Sequence, residues 1–178
     1  MLTSTVFERP APDEHAPYYS RYIDLVAEGD VMEVLERQAE EFPAFLRGIP
    51  AGLHEHRYAE GKWSVKEVIG HLSDAERIFA YRALRFARGD RTELAGFDEN
   101  AYVPAGEFGA RDFESLVVEW ESVRRATLSL LRGLSPEAAA RRGAANGQEI
   151  SVRALAYILA GHIIHHGNVL RERYLGAS

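Results

Sequence analysis

Apolar residues recur at helical spacing in four long segments of the chain. The first follows Asp30, a candidate N-cap, and its apolar face comprises Val31, Val34, Leu35, Phe42, Phe45 and Leu46. Pro43 lies inside this pattern and predicts a kink or a break. The second segment has the clearest start, because Ser64 and Glu67 form a capping box before an apolar run that continues to about Gly89.

Two further segments complete the set. The third runs from about Asp112 to Arg132, and the fourth begins with Ser151 as N-cap and reaches about Leu175. A short helix before the fourth is predicted from Ser135 as N-cap with proline directly after it. No segment of useful length alternates with a period of two, so strands are not expected. Four long amphipathic helices predict an all-α protein, a four-helix bundle.

The connection between the second and third helices, from Asp90 to Arg111, is long. An antiparallel neighbour needs only about two to eight connecting residues, whereas a parallel one requires the chain to return along the bundle. A helix of about 26 residues is about 39 Å long, and about twenty extended residues span more than that. The sequence therefore predicts an up-down-down-up bundle with a long crossover between helices two and three.

Length and composition narrow the class of protein. The 178 residues suit one bundle domain over residues 21–178, preceded by an extended arm over residues 1–20 that contains three prolines. The net charge of -6 argues against a nucleic-acid partner or a membrane surface. Without cysteine, any metal must be held by nitrogen and oxygen atoms. We read neither a signal peptide nor a membrane span, and the cytoplasm is the expected location.

Three of the seven histidines lie within five residues of the fourth helix. His162 and His166 differ by about 40° around the helix, so they share a face and continue the inward line of Leu155 and Leu159. Burying two imidazoles costs free energy unless their nitrogens find partners, and one metal ion satisfies both. His165 lies at the edge of this face and is expected near the surface or behind the ligands, although pairing of His162 with His165 stays an alternative.

A third ligand is expected from the second helix. His71 lies about 10 Å below the start of that helix, and His166 lies about 13 Å below the same end of an antiparallel fourth helix. Three histidines leave positions open for water or substrate, as in catalytic metal sites. Gly161 and Gly167 flank the cluster and predict close approach or space for a ligand. The alternative is that each histidine is an ordinary core residue with one hydrogen bond.

Three segments resemble the DinB/YfiT-like superfamily of metal-dependent enzymes: GKWSVKEVIGHLSDAERIFAYRALRFARGD, GFDENAYV and ALAYILAGHIIHHGNVLRERY. The resemblance covers about residues 30–175, and its most specific features are a histidine within GHL and the HxxxH pattern. It implies that His71, His162 and His166 bind a divalent metal, zinc or nickel, within an up-down-down-up bundle. It also implies a homodimer.

Some members of that family are thiol S-transferases or isomerases that use low-molecular-weight thiols. Because this chain has no cysteine, it would need an external thiol, which a metal can hold as thiolate. The resemblance therefore implies thiol-dependent S-transferase chemistry on a small-molecule substrate. A hydrolase that activates water at the same metal is one alternative, and a non-enzymatic, stress-related metal-binding bundle is another.

Other polar and aromatic residues are weaker candidates. No general base can be assigned, and the nearest acids by segment are Asp74, Glu76, Asp98 and Glu99. The segment GFDENAYVP can cover the site with Phe97 and Tyr102 as walls, or simply pack the crossover against the bundle. The remaining histidines are expected in solvent: His15, His54 and His56. The same holds for the row Arg77, Tyr81, Arg85 and Arg88.

Overall fold

Four long helices form the frame of the protein, which a computed structural model describes over residues 7–176. They are α2 (Val31–Arg47), α3 (Val65–Ala87), α5 (Phe113–Arg132) and α7 (Val152–Val169), the last continued by a π-helical turn over Leu170–Tyr174. Three of them begin at the predicted N-caps, and the third long helix begins at its predicted start, Asp112, which is also an N-cap. The side chains of all four N-caps accept backbone N–H hydrogen bonds: Asp30, Ser64, Asp112 and Ser151.

Shorter elements occupy the connections. Three short helices are α1 (Ser20–Ile23), α4 (Glu99–Ala105) and α6 (Pro136–Ala139), and two strands are β1 (Arg142–Ala145) and β2 (Gln148–Ser151). Single 3-10 turns lie at Pro12–Glu14, Pro17–Tyr19, Ala51–Leu53 and Phe108–Ala110. Within residues 7–176, no helix combines the length and the apolar character that a membrane crossing requires.

The buried residues divide into two clusters along the bundle, and this division gives the helix directions. One cluster combines the first turns of α2 with the C-terminal halves of α3 and α5 and the first half of α7. The other combines the end of α2 with the N-terminal halves of α3 and α5 and the end of α7. Helices α3 and α5 are therefore parallel, and α2 and α7 run the opposite way. The predicted up-down-down-up order with a long α3–α5 crossover is confirmed.

A buried polar network joins all four long helices. The Nε and Nη2 atoms of Arg124 on α5 donate to the two carboxylate oxygens of Glu76 on α3 at 2.6 and 2.9 Å. Arg124 also donates to the side chain of Gln38 on α2, and Gln38 donates to the backbone oxygen of Ala160 on α7. Because a buried charge is tolerated only when it is paired and hydrogen-bonded, this network requires one alignment of the four helices.

The expectation that the chain has no strands is wrong for residues 142–151. Strands β1 and β2 pair antiparallel through a two-residue turn, in which Asn146 and Gly147 have φ values of 53° and 70°. These residues suit that turn because asparagine and glycine tolerate positive φ. The crossover joins the hairpin, since the N–H of Leu94 donates to the oxygen of Ala144 at 2.9 Å.

Two predictions that rest on proline need correction. A break at Pro43 is wrong, because α2 continues through it to Arg47, whereas a kink there stays a prediction. The arm predicted over residues 1–20 is not extended at Pro12–Glu14 and Pro17–Tyr19, because each of these prolines occupies the first position of a 3-10 turn, where no N–H is needed. Residues 1–6 of that arm lie outside the described residues. The division into arm and bundle stays a prediction.

Candidate metal centre

The three predicted histidines meet between α3 and α7. The Nε2 atom of His162 lies 3.2 Å from that of His71 and 3.1 Å from that of His166. One ligand atom from each of the three rings lies within 4.8 Å of the others. His71 and His162 are buried, and His166 is half-buried. The antiparallel packing of α3 and α7 therefore brings together residues that are about ninety positions apart.

Aromatic rings surround the cluster and restrict its rotamers. Trp63, directly before the N-cap of α3, lies with its ring centre 4.8 Å from that of His71. Tyr22 presents its ring edge-on to His162 at 5.3 Å. Tyr22 reaches this position because Gly161 has no side chain: a Cβ there would overlap the carbonyl oxygen of Tyr22. The predicted close approach at Gly161 is confirmed.

Hydrogen bonding alone does not satisfy the three ring nitrogens. A ring nitrogen carries either one hydrogen or one lone pair in the ring plane, so Nε2 of His162 makes one good hydrogen bond there, not two. A cation accepts lone pairs from all three rings at once. Tetrahedral zinc bonded to nitrogen at about 2.05 Å separates its ligand nitrogens by about 3.3 Å. The observed separations of 3.1 and 3.2 Å fit that spacing.

The electrostatics of the site keep the rings neutral. Burial lowers the pKa of His71 to about 4. Burial also holds the pKa values of His162 and His166 well below the usual value, and neighbouring imidazoles lower them further. At neutral pH the three rings are therefore neutral imidazoles, the form that binds a metal through a nitrogen lone pair. A buried, neutral, three-imidazole donor set suits a divalent ion such as zinc or nickel.

A cavity of about 430 Å³ opens onto the three histidines, and we call it the main cavity. Its aromatic walls are Tyr18, Tyr19, Tyr22, Trp63, Phe79 and Phe97, and its polar side chains besides the three histidines are Arg82, Glu99, Asn146, Gln148 and His165. A second, smaller depression of about 270 Å³, the side cleft, is lined by residues that include Tyr58, Lys62, Trp63, His165, His166 and Tyr174. Trp63, His165 and His166 border both spaces, so the cluster is approached from two sides.

His165 does not join the ligand cluster but lies beside it. Its ring packs 4.9 Å from that of His166 and 5.5 Å from that of Tyr22. Burial and the nearby Arg21 charge lower its pKa. The structure thus brings together His162 and His166 with His71, and it places His165 on the wall of the main cavity.

The structure separates the four acids that lie nearest by segment. Glu76 is buried against Arg124, and Asp74 interacts with Arg77 away from the cavity. Asp98 accepts the N–H of Asn100 as the N-cap of α4. Glu99 alone among the described acids lines the main cavity.

The crossover segment contributes one of its two predicted aromatic walls. Phe97 lines the main cavity, whereas Tyr102 packs 5.5 Å from Phe97 and remains 46% exposed, outside the cavity lining. The hairpin supplies two more lining residues, Asn146 from its turn and Gln148 from the start of β2. The sequence analysis missed this turn, although an Asn-Gly pair is the strongest short-range signal for a hairpin.

Arg82 is a second residue that the sequence analysis missed. It is buried and lines the main cavity. Helical phase could have revealed it, because Arg82 follows His71 by eleven residues and therefore lies only about 20° from His71 around α3. The neighbouring row behaves as predicted, because Arg77 and Arg85 form ion pairs with Glu119 and Asp90 on the outer surface.

The remaining histidines differ from expectation. His15 is buried, and its Nδ1 lies 3.0 Å from the oxygen of Ala16. His54 is half-buried and stacks on Phe113 with 3.5 Å between ring centres. Only His56 is exposed as predicted. The stacking partner of His54 lies almost sixty residues away in the sequence, so a local polarity pattern does not reveal it.

The four long helices and the three converging histidines together define a class of protein: a helical bundle with a candidate three-histidine metal centre. The chain belongs to the DinB superfamily, whose family model matches residues 34–170. Among solved structures it is similar to YfiT from Bacillus subtilis, described as "a probable metal-dependent hydrolase with an unusual four-helix bundle topology". The identity is 18%, the match covers 95% of this chain and 94% of that chain, and the TM-score is 0.66. No curated protein matches the chain. The predicted family and fold class are confirmed.

Proposed function

We propose that the protein is a divalent-metal-dependent enzyme that acts on a small molecule. The observation that carries the proposal is the convergence of the ring nitrogens of His71, His162 and His166. Two Nε2 separations, 3.1 and 3.2 Å, match those around one tetrahedral ion, and one ligand atom from each ring lies within 4.8 Å of the others. The main cavity supports it, since its volume of about 430 Å³ lies in the range of small-molecule sites. A bound divalent ion would supply Lewis acidity and lower the pKa of a thiol or water that it holds.

The chain's own residues would orient the reactants. The rings of Trp63, Tyr22 and Phe79 exclude water and position an apolar part of the substrate. Glu99 is the only carboxylate among the described residues of the cavity lining, which makes it the first candidate to accept a proton. His165, on the same wall, is the second candidate because its pKa is lowered and its ring is uncharged at neutral pH.

Within this class we propose thiol-dependent S-transfer, with a low-molecular-weight thiol as co-substrate. The specific support is that the main cavity and the side cleft both border His166, so a thiol and an electrophile can approach from different sides. The chain has no cysteine to serve as its own nucleophile. The thiol sulfur would bond to the electrophilic carbon, the leaving group would depart with its electron pair, and the thiol proton would pass to a cavity base.

Hydrolysis is the second candidate function. The similar structure, YfiT, is described as a probable metal-dependent hydrolase. Hydrolysis needs the same three histidines and only one organic substrate, so the main cavity alone would suffice.

A comparison of two assays tests these reactions. We expect zinc- or nickel-loaded protein to accelerate transfer of a thiol, such as 2-mercaptoethanol or 3-mercaptopropionate, to 1-chloro-2,4-dinitrobenzene. His166→Ala is expected to lose about 100-fold or more of that rate, because it removes a metal ligand. Acceleration of p-nitrophenyl acetate hydrolysis without any thiol effect would favour the hydrolase. Equal rates for wild type and His166→Ala in both assays would contradict both and favour the non-enzymatic bundle. The homodimer and the cytoplasmic location stay predictions.

A further inference from the structure

Arg82 lies in the wall of the main cavity without an acidic partner. It is 4% exposed, and no carboxylate of residues 7–176 lies within 4.0 Å of its side-chain nitrogens. Its Nη2 donates to the backbone oxygen of Ala95 at 3.0 Å. This partner is neutral, so the guanidinium is hydrogen-bonded but forms no ion pair with the described residues.

The other buried arginine, Arg124, differs from Arg82 because it has an acidic partner. Arg124 forms a two-point ion pair with Glu76 in the bundle core. Among the described residues, arginines without a carboxylate partner are exposed to solvent, except for Arg82. A guanidinium that is buried, unpaired and located in a cavity wall is suited to an anion that arrives from outside.

The position of Arg82 relates it to the histidine cluster. Its guanidinium carbon lies 5.8 Å from the ring centre of Phe79, and that centre lies 6.2 Å from the ring centre of His162. The guanidinium is therefore no further from the His162 ring than the sum of these two distances. A single small molecule can contact Arg82 at one end and the histidines at the other, with Phe79 beside its middle.

The charges of the cavity favour the same ligand class. Glu99 is the only acid among the described lining residues. Arg82 and Glu99 thus carry opposite single charges, and a divalent ion at the histidines would make the cavity positive overall.

We propose that the substrate site takes a small molecule with an anionic oxygen group, a carboxylate or a phosphate, and that Arg82 binds this group. The reacting part of the molecule then lies at the histidine cluster, next to Phe79. This inference rests on the proposed function, because it assigns the substrate class of the same site.

Binding calorimetry with three matched probes tests the inference without relying on turnover. The probes are phenylacetate, phenyl phosphate and the neutral phenylacetamide, each titrated into zinc-loaded and into chelator-treated protein. We expect at least one anion to bind wild type about tenfold or more tightly than phenylacetamide in both preparations. The stronger of the two anions identifies the group. Equal affinity for all three probes, or no measurable binding of either anion, would overturn the inference.

Variants assign that preference to Arg82. Arg82→Gln is expected to lose about tenfold or more of the anion affinity while binding phenylacetamide as wild type does. Arg88→Gln, the same charge change at the exposed C-cap of α3, is expected to change nothing. Glu99→Gln is expected to tighten anion binding, because it removes the one negative charge of the wall. Unchanged anion affinity in Arg82→Gln would refute the role of Arg82.

Two further measurements separate the outcomes. If Arg82→Gln does not fold, Arg82→Lys replaces it, and an anion affinity equal to that of wild type would count against binding by the planar guanidinium. Zinc content is measured on the same samples. Zinc binding without an anion preference would contradict this inference and leave the proposed metal-dependent function intact. An Arg82-dependent anion preference in protein that binds no zinc would support this inference and contradict the proposed function.

Discussion

Single residues near the histidine cluster are constrained by contacts that differ sharply over short distances. Gly161 and Gly167 both lie in α7 and both flank the cluster. At Gly161 a Cβ would overlap the backbone of Tyr22, which cannot move without displacing α1. At Gly167 the nearest atom to a new Cβ is the end of the flexible Arg171 side chain, at 3.1 Å. One glycine is required for packing, and the other is not.

These contacts predict opposite effects for the same substitution. Gly161→Ala is expected to lower the free energy of unfolding by about 1–3 kcal/mol, because the overlap forces helices apart. Gly167→Ala is expected to leave it unchanged or raise it by up to about 1 kcal/mol, since alanine favours the helix. Urea unfolding followed by circular dichroism measures both. A stable Gly161→Ala protein would show that α1 does not approach α7 as described.

Residues of the candidate site were predictable where their spacing along a helix places them on the same face. His71, His162 and His166 follow from phase and depth along two helices, and the structure brings them together. The position of Arg82 follows from the same rule, but its sequence neighbours include exposed arginines, so the local pattern indicates a solvent-exposed face. Trp63 and Tyr22 could not be predicted, because they reach the cluster from a connection and from a segment whose packing depends on α7.

At the scale of elements, long helices with strong caps were predictable and short connections were not. Capping residues and a 3.6-residue apolar period marked the starts of all four long helices. Strands β1 and β2 have four residues each, too few for an alternating pattern to stand out. Helix α4 is seven residues long and contains Pro104, so it also lacks a periodic signal. Contacts with the bundle, not local preference, stabilise these pieces.

The network of Glu76 and Arg124 gives a prediction at the same scale. Removing one member, as in Glu76→Leu or Arg124→Met, leaves a buried charge unpaired and is expected to cost about 3–5 kcal/mol of the free energy of unfolding. The double variant is expected to be more stable than either single variant, because no unpaired charge remains.

An exposed ion pair provides the control for that comparison. Glu36 and Arg132 join α2 to α5 at the surface, and removing either is expected to cost less than about 1 kcal/mol. Chemical denaturation of the three variants and of this control measures these losses. Additive losses in the double variant would argue against a mutually dependent buried pair.

For the whole molecule, the segment before α2 is attached to α7 by a buried ion pair. Nε of Arg153 donates to Glu14 at 2.7 Å, and the side chain of Glu14 is 2% exposed. Burial alone would raise the pKa of Glu14, but hydrogen bonds from Arg153 and from the backbone N–H of Ala11 outweigh it and lower that pKa to about 2. The folded form therefore holds the carboxylate ionised more strongly than the unfolded chain does.

This shift predicts a specific loss of stability in acid. Because the pKa of Glu14 is about 2 when folded and 4.5 in its ordinary state, its contribution is present above pH 4.5 and disappears as the pH falls toward 2. We expect wild type to be more stable than Glu14→Gln at pH 6, with the difference shrinking across that window. Thermal unfolding of both proteins from pH 6 to pH 2.5 measures this. A difference that does not depend on pH would contradict the assigned ion pair.

Cooperation of two antiparallel helices in holding one ion is the central claim, and metal stoichiometry tests it most directly. Purified protein is stripped with a chelator, reloaded with zinc or nickel, dialysed and analysed for metal. Wild type and His165→Ala are expected to retain about one equivalent, while His71→Ala and His162→Ala each retain less than about a tenth, because both helices must contribute ligands. Wild type that retains less than about a tenth of an equivalent, or His71→Ala that retains a full one, would contradict the account.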